Sequence, residues 1–299
     1  MKRRLFSKMI AAAAVTGVSA QESGTENGKP FGMCFGPHPG MLHGEPKDYV
    51  DSLKYAYDLG FRGWEDNGLG ARDAATQERI GEFLRNHDFK LGVMVISNGH
   101  GMPFCRPDEG SVAKILGDMK HAVEVSKRTG QTHMTMIPGA RIDGVPLDEQ
   151  IKGAVDLMKR CCDIVEEHGI IMVLEPLSHP MAKQPVLLES FEDGFKLCEL
   201  VNRRSCKILA DFFHEGEIGN GAKLIENAEK TWSQIAYVQY GDSPGRKEPG
   251  TGKLDLKAVT KWLHEKGYKG VIGMEHGVSQ KGPEGLEKLL AAYRAIDIV

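Results

Sequence analysis

Eight short apolar runs alternate along the chain with eight longer stretches in which apolar residues recur every three or four positions. The short runs, which we predict to be strands, are Phe31–Gly36, Phe61–Asp66, Lys90–Ser97, Thr132–Ile137, Ile170–Leu177, Lys207–Phe213, Ile235–Tyr240 and Gly270–His276. The longer stretches, which we predict to be helices, are Pro46–Leu59, Ala74–His87, Gly110–Thr129, Leu147–His168, Phe191–Asn202, Ala222–Trp232, Lys257–Lys266 and Gly285–Ile298. Strands that are apolar on both faces are typical of a parallel sheet covered by helices.

Glycine follows several of the predicted helices, at Gly60, Gly130, Gly169 and Gly267. It is favoured there because it adopts the left-handed conformation that stops a helix before the next strand. Strict alternation of eight strands and eight helices predicts a closed (β/α)8 barrel, a TIM barrel, as one domain over residues 31–299. The first strand-to-helix turn lacks Gly-x-Gly-x-x-Gly, so we expect no nucleotide cofactor.

Four oxygen-bearing side chains stand at the downstream ends of the last four predicted strands: Glu175, Asp211, Gln239 and Glu275. Any one of them taken alone is more simply explained as a capping or salt-bridged group. In a parallel barrel, however, these strand ends meet at the C-terminal rim, where active sites lie. Hard oxygen ligands, three of them anionic, favour Mg²⁺ or Mn²⁺ over zinc. The pattern therefore predicts one divalent metal ion held by these four residues.

The two glutamates suggest a reaction in which protons move on a metal-bound sugar-like substrate. A divalent ion polarises a substrate carbonyl and acidifies the neighbouring C–H bond. Glu175 or Glu275 removes that proton to give an enediolate, and the other glutamate returns a proton. Return to the adjacent carbon is an aldose–ketose isomerisation, and return to the other face of the same carbon is an epimerisation. The ligand set alone fits both reactions.

Further polar residues on the same rim are candidates for substrate contact. His214 follows Asp211 by three positions, and Arg246, suited to a carboxylate or phosphate, lies in a Gly- and Pro-rich loop after Gln239. That loop could equally be a plain surface turn. Glu65, Asn67 and His179 also follow strands, and for them a supporting or solvated role is as plausible as substrate contact. The rim histidines His38, His43 and His100 are expected to be bystanders.

Composition narrows the class of partner. The chain has 38 basic and 41 acidic residues, a net charge of −3, and no basic stripe, so we expect no nucleic-acid partner. Six cysteines form no Cys-x-x-Cys pair, and in a chain with a full core we expect them to be free thiols. The predicted partner is a small polyhydroxy carbonyl compound.

The first twenty residues are predicted to be an export signal rather than part of the fold. Lys2-Arg3-Arg4 precedes the apolar stretch Met9–Val18, and Val18-Ser19-Ala20 offers small residues for cleavage. Arg3-Arg4-Leu5-Phe6-Ser7-Lys8 resembles a bacterial twin-arginine signal. We therefore predict export, to the bacterial periplasm, with a cytoplasmic location as the alternative. Residues 21–30 are predicted to be a flexible lead-in, and no membrane anchor is expected once the signal is removed.

From Phe31 to Val299 the chain resembles the hydroxypyruvate isomerase family, within the xylose-isomerase-like barrel superfamily of sugar isomerases and epimerases. The matching motifs are Leu174-Glu175-Pro176, Asp211-x-x-His214, Gln239 with the loop Gly241–Gly252, and Gly273-Met274-Glu275. The resemblance implies metal binding by Glu175, Asp211, Gln239 and Glu275, proton transfer by the two glutamates, and substrate contact by His214. The chain departs from the family pattern at Tyr237, where a histidine is usual, and at Lys253, where a glutamate is usual.

The leading interpretation is a metal-dependent isomerase of the hydroxypyruvate and tartronate semialdehyde type. The alternatives are a ketose 3-epimerase on the same scaffold and an exported barrel that binds a sugar or a metal without turnover. An apurinic endonuclease is disfavoured, because no histidine is among the four proposed ligands and no basic groove is evident. The sequence leaves the oligomeric state open, although barrels of this kind often pair.

Overall fold

The structure, a computed structural model, describes residues 28–99, 101–182 and 185–299. Its strands are β1 (Phe35–Gly36), β2 (Gly63–Trp64), β3 (Lys90–Leu91 and Val93–Asn98), β4 (His133–Ile137), β5 (Ile171–Leu174), β6 (Cys206–Asp211), β7 (Ile235–Gln239) and β8 (Ile272–Gly273). The predicted export signal at 1–20, most of the predicted lead-in at 21–30, and His100 lie outside the described residues.

Parallel pairing joins these strands into a ring. β1 pairs with β8, and the order continues through β7, β6, β5 and β4 to the second segment of β3. The first segment of β3 pairs with β2. The ring closes where the backbone N–H of Glu65, just after β2, donates to the carbonyl of Pro37, just after β1, at 3.1 Å. The predicted (β/α)8 barrel is confirmed.

In the described part of the chain, eight helices of eight or more residues cover the outside of the barrel: α1 (Tyr49–Asp58), α2 (Ala74–Asn86), α3 (Glu109–Thr129), α4 (Leu147–Val165), α5 (Phe191–Val201), α6 (Leu224–Thr231), α7 (Leu256–Glu265) and α8 (Gly282–Ile296). The side chains of Asp48, Asp73 and Asp108 accept backbone N–H groups at the starts of α1, α2 and α3. The predicted glycine stop after α3 is confirmed, because Gly130 has a φ of 77°. No helix among the described residues is long and apolar enough to cross a membrane.

Alternation along the strands arranges the barrel interior in layers. Val93, Val173, Leu209, Tyr237 and Val271 form one apolar cluster inside the ring. Successive residues of a strand point to opposite faces, so a residue two positions further on also points inward. Two positions after Val173, Leu209 and Tyr237 the chain carries Glu175, Asp211 and Gln239. The polar rim layer therefore follows directly from the apolar layer beneath it.

All six cysteines are free thiols, as the sequence predicts. Four are buried, and the other two, Cys34 and Cys105, are half-buried. Burial raises the pKa of the Cys34 thiol to about 11 and that of Cys161 to about 12, so these thiols stay protonated at neutral pH.

Candidate active site

The structure brings the four predicted metal ligands together at the C-terminal rim. Asp211 and Gln239 are paired neighbours on β6 and β7, and Gln239 pairs with Gly273 of β8, two residues before Glu275. Glu175, Asp211 and Gln239 are 6%, 1% and 1% exposed and so are withdrawn from bulk water, whereas the side chain of Glu275 is 21% exposed.

The guanidinium of Arg246 lies among these carboxylates. Its Nη2 atom donates to Oε2 of Glu275 at 2.7 Å and to Oδ2 of Asp211 at 2.9 Å, and it lies 3.5 Å from Nε2 of His214. The same guanidinium stacks over the ring of Phe213, 4.8 Å from its centroid. One positive group thus occupies the point on which the anionic side chains converge.

Burial sets the protonation of the carboxylates. It raises the pKa of the Glu175 carboxyl well above its usual range, and the negative charges of Glu275 and Asp211 raise that pKa further. Burial also raises the pKa of Asp211 to about 6, although the nearby Arg246 guanidinium acts to lower it. The pKa of Glu275 is raised in the same way and against the same guanidinium. Carboxyl groups whose pKa is raised in this way are candidates for taking up and releasing protons during a reaction.

Asp211 has two roles: one of its oxygens caps a helix and the other faces the site. The chain turns into a short helix, Phe212–Glu215, directly after β6. The Oδ1 atom of Asp211 caps this helix by accepting the backbone N–H of Phe213 at 2.8 Å. The Oδ2 atom, which contacts Arg246, remains directed into the site. The predicted strand Lys207–Phe213 is therefore too long by two residues, because the cap starts a helix at Phe212.

The hydrogen bonds of His214 show which of its ring nitrogens faces the site. The backbone N–H of Ser178 donates to Nδ1 at 3.2 Å, so Nδ1 carries no proton. Burial lowers the pKa of His214 to about 3, so the neutral ring bears its proton on Nε2. This Nε2 lies 3.5 Å from Asp211 and 3.7 Å from Glu175. Although Glu175, Asp211 and His214 lie close enough together to hold a cation, a protonated Nε2 is a hydrogen-bond donor and not a ligand.

Gln239 provides the test of whether the site fits a divalent cation. Its Oε1 atom is buried and has no hydrogen-bond partner among the described residues. A buried unsatisfied oxygen is costly unless something binds it. With the neighbouring carboxylates it completes an all-oxygen set of the kind that Mg²⁺ and Mn²⁺ prefer. The residues present therefore fit a divalent metal ion.

The remaining predicted contacts divide into two groups. Glu65 is fully buried inside the rim layer, where its Oε1 accepts from Nε2 of Gln239 at 2.7 Å. His179, in contrast, has a side chain that is 57% exposed and lies 4.0 Å from Glu189. Two further residues lie close to the site: Asn67, for which supporting and substrate-binding roles were equally plausible, and His38, which was expected to be a bystander. Asn67 donates to Oε1 of Glu275 at 3.0 Å, and His38 lies 2.8 Å from Glu65.

The Gly- and Pro-rich loop after β7 is organised by one buried carboxylate. Asp242 accepts the backbone N–H groups of Gly250 and Gly252 at 2.8 Å and that of Leu254 at 3.0 Å. The loop is thereby folded back on itself and presents Arg246, whose φ of 50° lies in the left-handed region. This loop holds Arg246 over the rim and is not a plain surface turn.

A cavity of about 590 Å³ lies at the opposite end of the barrel. Lys90, Lys127, His133 and Lys269 are among its lining residues, and none of its described lining residues is acidic. Lys127 stands in the last turn of α3, where a cation offsets the negative end of the helix dipole. The described residues that line the cavity therefore offer no set of carboxylate metal ligands, and the position of Lys127 has a structural explanation.

The chain is similar to known proteins over most of its length. Residues 53–296 match the family model described as xylose isomerase-like TIM barrel. The chain is 22% identical to the inosose isomerase of Halalkalibacterium halodurans over 247 residues, which cover 77% of this chain and 83% of the relative. It is 24% identical to the hydroxypyruvate isomerase of Escherichia coli over 257 residues, 82% of this chain and 93% of the relative.

Solved structures agree on the fold. The 3-keto-D-glucoside 4-epimerase YcjR of E. coli superposes with a TM-score of 0.71 at 18% identity, over 88% of this chain and 99% of that one. A structure of the IOLI protein with a bound zinc atom superposes with a TM-score of 0.62 at 21% identity, over 84% of this chain and 92% of that one.

Proposed function

The chain belongs to the xylose isomerase-like TIM barrel family, and on that premise we propose that it is a divalent-metal-dependent isomerase. The proposed reaction interconverts a small hydroxy-ketone and hydroxy-aldehyde of the hydroxypyruvate and tartronate semialdehyde type. One observation carries the proposal: three carboxylates and one unpartnered amide oxygen lie together at the C-terminal rim. Carboxylate oxygens of Glu175 and Asp211 lie within 4.8 Å of each other, and Nη2 of Arg246 contacts both Asp211 and Glu275. The unpartnered oxygen belongs to Gln239, which pairs in register with Asp211. The relatives named as isomerases support the reaction class.

The proposed cofactor is Mg²⁺ or Mn²⁺, held by Glu175, Asp211, Gln239 and Glu275. When bound, the cation supplies the positive charge that acidifies the C–H bond next to the substrate carbonyl. The preference for these two ions rests on the all-oxygen ligand set. Because a neighbouring structure holds zinc, metal dependence should be measured with Zn²⁺ as well as with Mg²⁺ and Mn²⁺.

The two glutamates carry the protons. One of Glu175 and Glu275 removes a proton from the hydroxyl-bearing carbon, and the bond electrons form the double bond of an enediolate. The other glutamate returns a proton to the former carbonyl carbon, and the hydroxyl proton passes to the oxygen on that carbon. Burial raises the pKa of both carboxyls, which favours their exchange of protons with a substrate carbon. No atom is gained or lost, so no further co-reactant is needed.

Other side chains bind and orient the substrate in this proposal. The Nε2–H of His214 points at Asp211 and Glu175, where it can donate to a substrate oxygen as negative charge develops. Arg246 is the proposed contact for a substrate carboxylate, because a guanidinium can bind both carboxylate oxygens. Glu65 and His179 remain predicted substrate-binding residues, although the burial of Glu65 favours a supporting role and His179 lies at the surface.

The test is direct turnover of candidate substrates. The Mn²⁺-loaded protein should interconvert hydroxypyruvate and tartronate semialdehyde as followed by NMR, and EDTA-treated protein should not. Epimerisation of a free ketose instead would establish the alternative, a 3-epimerase. Metal binding without turnover of any candidate would favour a sugar-binding barrel.

We further propose export by the twin-arginine signal, a location that rests on the sequence pattern of residues 1–20 alone. Fractionation of bacterial cells, with Arg3 and Arg4 replaced by Lys in the control, tests it. Retention of both forms in the cytoplasm would contradict it.

A further inference from the structure

The barrel interior contains a buried carboxylate that the proposed reaction does not use. Glu65, at the end of β2, is 0% exposed and points into the same rim layer as the proposed metal ligands. An ionised side chain withdrawn from water is costly unless donors surround it. The contacts of Glu65 therefore indicate which neighbouring groups its burial holds in place.

Three side chains surround Glu65, two from β7 and one from the segment just after β1. Its Oε1 accepts from Nε2 of Gln239 at 2.7 Å, and Nε2 of His38 lies 2.8 Å from the same oxygen. Its Oε2 accepts a hydrogen bond from the hydroxyl of Tyr237. Tyr237 and Gln239 are two positions apart on β7, so both point inward at Glu65.

The backbone leaves room for this group on both sides. A Cβ atom at Gly273 of β8 would lie 1.8 Å from Oε2 of Glu65. A Cβ atom at Gly92, where β3 is interrupted, would lie 2.2 Å from the hydroxyl of Tyr237. Any side chain at either position would displace the pair. Two strands of the barrel are therefore shaped around the contact between Glu65 and Tyr237.

The contact with Glu65 fixes the orientation of the Gln239 amide. A carboxylate can only accept hydrogen bonds, so the NH₂ end of the amide must face it. The oxygen end is consequently turned away from Glu65, and Oε1 of Gln239 is the buried atom that has no partner among the described residues. On the next strand, Asp211 pairs with Gln239 in register. The free oxygen thus belongs to the layer that contains the carboxylates.

We propose that Glu65 is a positioning residue of the metal site, which holds the Gln239 amide with its oxygen directed at the bound cation. Tyr237 assists by fixing the second oxygen of Glu65. This inference rests on the metal dependence proposed above. Residues that orient metal ligands in this way typically contribute about 10- to 100-fold to metal affinity.

The experiment measures Mn²⁺ dissociation constants by calorimetry, at a temperature at which thermal denaturation shows every variant to be folded. Glu65→Gln keeps the shape of the side chain but replaces one acceptor oxygen by an NH₂ donor, so the residue no longer requires the NH₂ end of Gln239 to face it. We expect its Mn²⁺ dissociation constant to rise about 10- to 100-fold. Glu166→Gln is the matched control, because Glu166 also accepts from two side chains, Ser205 and Arg203, but touches none of the proposed ligands. It should leave the constant unchanged.

A double-mutant cycle separates positioning from general stabilisation. If Glu65 acts through Gln239, the Glu65→Gln change should weaken Mn²⁺ binding in the wild-type background and have no further effect in Gln239→Ala. Equal losses in both backgrounds would overturn the inference. So would a Glu65→Gln variant with a lower Tm and an unchanged dissociation constant, because that is the result of a structural role alone.

Two further results are distinguishable. If the wild-type protein binds no divalent cation, the proposed metal dependence fails, whatever Glu65 does. If Glu65→Gln does not fold, Tyr237→Phe replaces it, because this change removes one hydroxyl and leaves the bond between Glu65 and Gln239. The inference would be supported if Tyr237→Phe weakened Mn²⁺ binding in the wild-type background and had no effect in the Gln239→Ala background. Wild-type affinity in Tyr237→Phe would then contradict it.

Discussion

The Nη2 atom of Arg246 lies 2.9 Å from Oδ2 of Asp211, the one oxygen of that carboxylate that does not cap the following helix. The guanidinium and a divalent cation therefore compete for the same oxygen. Arg246 also reaches Glu275 at 2.7 Å, so it neutralises two of the proposed ligands together. The site has two possible sources of positive charge, one from the chain and one from solution.

Removing Arg246 should make the protein more dependent on metal for its stability. In Arg246→Ala the buried carboxylates lose their internal counter-charge, so the Tm without metal should fall, and saturating Mn²⁺ should restore most of the loss. Differential scanning fluorimetry with and without Mn²⁺ measures both values. Arg203→Ala, which removes ion pairs with Asp163 and Glu166 away from the site, should lower both Tm values equally. If Arg246→Ala lowered the Tm by the same amount with and without Mn²⁺, the proposed competition between Arg246 and the cation would be contradicted.

Loss of His214 should affect turnover more than metal binding. His214→Ala removes the Nε2–H donor, and we expect kcat to fall about 100-fold, as for the loss of one donor to a developing oxyanion. The Mn²⁺ dissociation constant should stay within about twofold of wild type, because Nε2 has no free lone pair for a metal. His214→Gln, with a donor near the position of Nε2, should recover part of kcat. A loss of affinity as large as that of Gln239→Ala would identify His214 as a ligand.

Metal affinity should rise with pH. A cation binds the deprotonated carboxylates, and burial raises the pKa of Asp211 to about 6 and that of Glu175 well above its usual range. Protons therefore compete with the metal at pH values where exposed carboxylates are already ionised. Mn²⁺ affinity measured by calorimetry should increase as the pH rises through about 6 and fall below it. A constant affinity from about pH 5 to pH 8 would contradict these raised pKa values.

Replacing Glu175 should stabilise the metal-free protein while it removes activity. Burial and the charges of Glu275 and Asp211 disfavour the ionised form of Glu175, and Glu175→Gln relieves that repulsion. We expect the Tm without metal to rise by about 2–4 °C, the shift that roughly 1 kcal/mol produces in a large domain. Thermal denaturation at pH 8 in EDTA measures it. A lower Tm in the variant would show that the carboxylate is not under electrostatic strain.

Most of the fold follows from local sequence rules. The inward residue Leu209 predicts that Asp211 also points inward, and glycine stops such as Gly130 separate helices from strands. The breaks in this pattern have tertiary causes. At Gly92, where β3 is interrupted, the hydroxyl of Tyr237, on a strand distant in sequence, occupies the space that a side chain would take. No local signal reveals such a contact.

The position of the four candidate ligands at one rim was predictable for the same reason, whereas the contacts that support them were not. Glu175, Asp211, Gln239 and Glu275 each end a strand, and parallel strands of a barrel end at one rim. The contact of Glu65 with Gln239 joins residues 174 positions apart. It depends on ring closure and strand register, which the sequence does not state, so the sequence could not distinguish substrate contact from a supporting role for Glu65.

The central claim is that two glutamates move a proton on a substrate carbon, and deuterium incorporation tests it most directly. The Mn²⁺-loaded protein is incubated in D₂O with hydroxypyruvate, tartronate semialdehyde and free ketoses, and NMR follows deuterium at each carbon. We predict deuterium at the carbon beside the carbonyl together with aldehyde–ketone interconversion, and at least a 100-fold loss of both in Glu175→Gln and Glu275→Gln. Absence of exchange with every substrate despite bound Mn²⁺, or exchange that survives in either variant, would contradict the account.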